Sequence, residues 1–75
     1  MAGEQVDRII VTIDDQYLLD IESVVTALET AGMQVNNVLS IAGIITGEVS
    51  DSKIQELKSL PGVVDVEIDQ EMQTV

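Results

Sequence analysis

The spacing of apolar residues changes character several times along this chain, and each change marks an element. Residues Arg8 to Ile13 read Arg-Ile-Ile-Val-Thr-Ile, a compact β-branched run that predicts a strand buried on at least one face. Asp14-Asp15-Gln16 breaks it. From Asp20 to Ala31 the spacing turns to threes and fours, so that Ile21, Val24, Val25, Leu28 and Ala31 line one side of an amphipathic helix. Asp20 stands as its N-cap, Leu19 and Val24 at hydrophobic-staple positions, and Gly32 at the C-terminal stop. Strands are expected at 34–40 and 44–49, on either side of an Ala42-Gly43 turn. Ser50-Asp51-Ser52 opens a shorter helix with Ile54, Leu57 and Leu60 as its stripe. Pro61-Gly62 ends that helix. The last strand then alternates, with Val64, Val66 and Ile68 on one face and Asp65, Glu67 and Asp69 on the other.

The resulting order is β-α-β-β-α-β. It predicts an α+β domain of the ferredoxin-like kind, a four-stranded antiparallel sheet with both helices on one face. The opposite face is then open to water or to a partner. Residues 1–7 read as a disordered lead-in, 8–69 as the folded domain, and 70–75 as an extended C-terminal tail.

Composition narrows function by exclusion. Tyr17 is the only aromatic among 75 residues, so the core must be aliphatic and thin. The chain has no Cys and no His, which removes disulfides, the commonest transition-metal ligand and the commonest general base. Asp14, Asp15, Asp20 and the acids of 65–71 lack the spacing and glycine of a calcium loop. No metal and no cofactor are expected. Lys53 and Lys58 fall on the polar side of the short helix rather than in an apolar pocket, so Schiff-base chemistry has no candidate and the chain reads as a non-enzyme. Fourteen acidic residues face three basic ones, a formal charge of −11. That balance repels phosphate backbones and anionic membranes, and the lack of stacking aromatics argues further against nucleic acid. No apolar run approaches the length of a membrane span, and the polar segment 1–7 does not read as a secretory signal. A cytoplasmic location is expected.

Several local sequences support a sharper reading. They are Ile9-Ile-Val-Thr-Ile13 in the first strand, Ala31-Gly-Met-Gln-Val35 leaving the first helix, Leu57-Lys-Ser-Leu-Pro-Gly-Val63, and Val66-Glu-Ile-Asp69. With the element order, they resemble the propeptide domain of subtilisin-type serine proteases, the peptidase inhibitor I9 family, which includes free-standing small inhibitors. The resemblance covers most of residues 8–75. It implies a protein–protein module that inhibits, or helps to fold, a subtilisin-type protease. Glu67 and Asp69 match an acidic pair that, in the family, faces the amino ends of two protease helices. Such ends carry partial positive charge and unpaired N–H groups. Met72, Gln73, Thr74 and Val75 would pair with the catalytic cleft by strand addition, with Met72 filling the apolar pocket four residues from the cut and Val75 beside the nucleophile.

Two other readings stay open. The same element order occurs in small-ligand regulatory domains of the ACT kind, although these usually place a glycine where this chain has Asp14-Asp-Gln-Tyr-Leu-Leu19. A purely structural partner domain would bind through the open sheet face. The chain is expected to be a monomer, with a dimer as the alternative.

Overall fold

The computed structural model describes residues 6–69, and its sheet is assembled on the most β-branched segment. Strand β1 (Val6–Ile13) pairs antiparallel with β3 (Ile44–Ser50) on one side and with β4 (Val63–Ile68) on the other. Strand β2 (Gln34–Leu39) joins the far side of β3, giving the order β2-β3-β1-β4. Helices α1 (Ile21–Thr30) and α2 (Ile54–Lys58) complete the β-α-β-β-α-β path. This is the expected ferredoxin-like α+β arrangement.

Alternation along the two central strands decides where the core lies. Ile9, Val11 and Ile13 of β1 and Ile45 and Val49 of β3 are buried, and Val11 stands opposite Ile45. From above they meet Val24 and Leu28 of α1 and Leu57 of α2, so both helices cover the same sheet face. The core is wholly aliphatic apart from Met33, and among the described residues no polar or charged one is buried.

The exit from α1 follows its glycine. Gly32 has φ 111°, the Gly32 amide donates to Glu29, and the Met33 amide donates to Leu28. That is a Schellman ending, with the buried Met33 and Leu28 supplying its hydrophobic contact.

The entry to α1 departs from expectation. A 3-10 segment, Asp15–Asp20, precedes the helix, and the segment's capping residue is Asp14, whose Oδ1 accepts the Gln16 amide at 2.9 Å. Asp20 holds the N-cap position of α1 as expected, but makes no cap bond to the backbone and instead accepts the Ser23 hydroxyl. Leu19 is 103% exposed and forms no staple, because Tyr17 and Leu18 take the inward positions of the 3-10 segment. At its start β1 is longer than expected, so Val6 and Asp7 belong to the sheet.

Each edge strand contains a bulge. In β4, Thr12 opposes Asp65 but Ile13 opposes Val63, which leaves Val64 as the extra residue. Val64 therefore does not share the face of Val66. It is 62% exposed, while Val63 packs against the core in its place. In β2, Val35 opposes Gly47 and Asn37 opposes Thr46, so Asn36 is the extra residue. Gly47 permits this close approach. A Cβ there would collide with the Gln34 carbonyl oxygen and lie 2.9 Å from the Met33 methyl.

Candidate functional site

The sheet face turned away from the helices has no second layer among the described residues. Its centre is formed by Ile10 and Thr12 of β1 with Ile44 and Thr46 of β3, all half-buried by their neighbours alone. Register places Glu67 opposite Ile10 and Asp65 opposite Thr12, so both acids project from β4 onto this face. One pair further on, the Asp69 amide donates to the Arg8 carbonyl at 2.8 Å. Asp69 thus continues the ladder and shares the face of Glu67. Glu67 is exposed and Asp69 partly buried.

The sheet-facing part of the predicted site is therefore assembled in one place, at the β4 margin of an uncovered face. Met72, Gln73, Thr74 and Val75 lie outside the described residues. Across the face from Glu67, β2 contributes Gln34, Asn37 and Leu39, the last 50% exposed. A shallow depression of ≈ 290 Å³ runs between the two margins, lined by Arg8, Asn36, Asn37, Thr46 and Asp69 among others. Both bulge-flanking asparagines thus turn to the outer face, as expected where an extra residue interrupts alternation.

Sequence reasoning had not singled out Ile10, Thr12, Ile44 and Thr46. Their signal was present: Ile9–Ile13 and Ile44–Thr46 are unbroken β-branched runs in the two central strands, so apolar or hydroxyl side chains had to occupy both faces there.

The arrangement is suited to contact with a partner. Mixed aliphatic and hydroxyl side chains form a low, slightly polar platform, with carboxylates along one side. Lys53 and Lys58 are both exposed. Among the described residues no three acidic side chains gather where they could hold a metal ion, and no helix is long and apolar enough to cross a membrane. No family model matches the chain, and neither a curated protein nor a solved structure does.

Proposed function

We propose that this chain is a protein-binding module that docks through its uncovered sheet face, as an inhibitor or folding helper of a subtilisin-type serine protease. The observation that carries the reading is the position of Glu67: an exposed carboxylate at the edge of an unlayered platform, one strand away from the apolar centre at Ile10. A partner helix pair laid on that platform buries Ile10 and Ile44. Its amino ends then meet Glu67 and Asp69, each contact contributing about 0.3–1 kcal/mol. Aliphatic burial supplies most of the affinity and the carboxylates supply orientation. In this reading Met72–Val75 lie in the catalytic cleft, where main-chain pairing adds affinity and side-chain pockets add choice.

The test is inhibition of peptide-substrate hydrolysis by several subtilisin-type proteases. The expected result is inhibition by the full chain at micromolar concentration or below, weakened by Glu67→Ala and largely lost when residues 72–75 are removed. Digestion of the chain with no slowing of any protease defeats the proposal.

A further inference from the structure

The β2 edge behaves differently from the site above and supports a separate inference, which does not rest on the protease reading. We infer that β2 is a self-association edge, on which a second copy of this chain docks by antiparallel β2–β2 pairing about a two-fold axis perpendicular to the sheet.

Charge is the first ground. Residues Thr30 to Gly47 form an eighteen-residue run without a single charge, in a chain that carries 17 charged residues and a net −11. The run contains all of β2 and the β2–β3 turn. Two copies of so acidic a chain repel one another over most of their surfaces, and this edge is where that repulsion is least. Charge and proline commonly protect an edge strand with unpaired backbone groups, and β2 has neither, its one irregularity being the bulge at Asn36.

The second ground is self-complementarity. Antiparallel partners in one sheet must point to the same face. The bulge at Asn36 gives β2 a face order that is the same in both directions. Gln34 lies outward, Val35 toward the helices, Asn36 and Asn37 outward, Val38 toward the helices and Leu39 outward. The residues match too, since Val35-Asn36-Asn37-Val38 is a palindrome. Pairing Val35 with Val38 of the second copy, and Asn36 with its Asn37, satisfies every face at once. A strand without the bulge would not pair in this register. That symmetry is what selects a second copy over an unrelated extended segment.

The same register also covers exposed apolar side chains. Leu39, 50% exposed, stands opposite Gln34 of the second copy, and Ile41, 99% exposed, lies in the turn that follows β2. Val38 lines a groove of ≈ 420 Å³ against Ile21, Val25 and Thr26 of α1, and that groove opens onto the junction. Glu22 lies in the groove as well, and Glu29 stands exposed two helical turns on. Each copy carries a net charge of −11, so salt, by screening the repulsion between them, should tighten the dimer.

Sedimentation equilibrium on the intact chain, from micromolar to millimolar and at low and high salt, tests the inference. The expected result is a monomer–dimer equilibrium that shifts toward dimer with salt. Asn37→Lys, which sets two ammonium groups beside the axis, should weaken it by about tenfold or more. Ile41→Asp, outside the strand and harmless to the ladder, should weaken it as well. Asp65→Asn on the opposite edge strand changes net charge by the same one unit as Asn37→Lys and should not weaken the dimer. In a mixed-isotope sample of the dimer, methyl contacts should appear between Val35 of one copy and Val38 of the other. A chain that stays monomeric at high salt overturns the inference. So does a dimer indifferent to both Asn37→Lys and Ile41→Asp, or one that lacks the Val35–Val38 contact.

Discussion

Strands β2 and β4 hold equivalent places at the two margins of one sheet, and each contains a bulge, yet their chemistry is opposed. β4 carries Asp65 and Glu67, with Asp69 directly after it, while β2 carries only amides and aliphatic residues. Carboxylates on β4 deter pairing with another copy of an acidic chain, and they are suited to partners that offer N–H groups or cations. An uncharged β2 has no such deterrent. One sheet can thus offer two partners two separate surfaces, told apart by charge alone. The helices divide in the same way, α1 packing over the β2 side and α2 over the β4 side.

That division can be broken most heavily at Leu57. Helix α2 has only five residues, and its single buried side chain is Leu57, 0% exposed. Leu57→Ala is expected to cost about 2–5 kcal/mol of unfolding free energy in urea titration. A loss below about 1 kcal/mol would mean that the β4 side is held by something other than α2. On the other side, Gly47→Ala should cost about 1–3 kcal/mol through its clash with the Gln34 carbonyl. Amide exchange should show protection falling in β2 and persisting in β4. Equal loss in both strands would refute a local role for Gly47.

Smaller effects sharpen the contrast. Glu67→Ala combined with Asp69→Ala should weaken protease inhibition by about 3- to 30-fold, the sum of two helix-end contacts. The effect should shrink at high salt, since exposed charges are screened. Val64→Thr should change stability by no more than about 0.5 kcal/mol, because the bulge turns that side chain to solvent. A larger cost would place Val64 back in the core.

The limits of sequence reading are instructive here. The α1 stripe, its Gly32 ending and the order of elements were legible because each depends on residues three or four apart in one segment. Asp14 was missed as the cap of the 3-10 segment because two further acids and that segment separate it from the apolar periodicity that marks α1. Val64 was misassigned for another reason. Its direction is fixed by a bulge against Ile13, a partner fifty residues away, and no alternation within β4 reports that. Asn36 is the same case, although Gly47 in the middle of a β-branched strand was a visible hint of close backbone approach. Glu67 and Asp69 fell on the expected face because they lie beyond the bulge, where simple alternation still holds.

The central claim is that partners of the protease type meet the uncovered sheet face. Amide and methyl chemical-shift mapping by NMR, with a catalytically inactivated subtilisin-type protease titrated into the labelled chain, tests it most directly. Perturbations centred on Ile10, Thr12, Ile44, Thr46 and Glu67, with α1 and α2 unmoved, are the predicted result. Perturbations confined to the helices, or no perturbation at saturating protease, would contradict it.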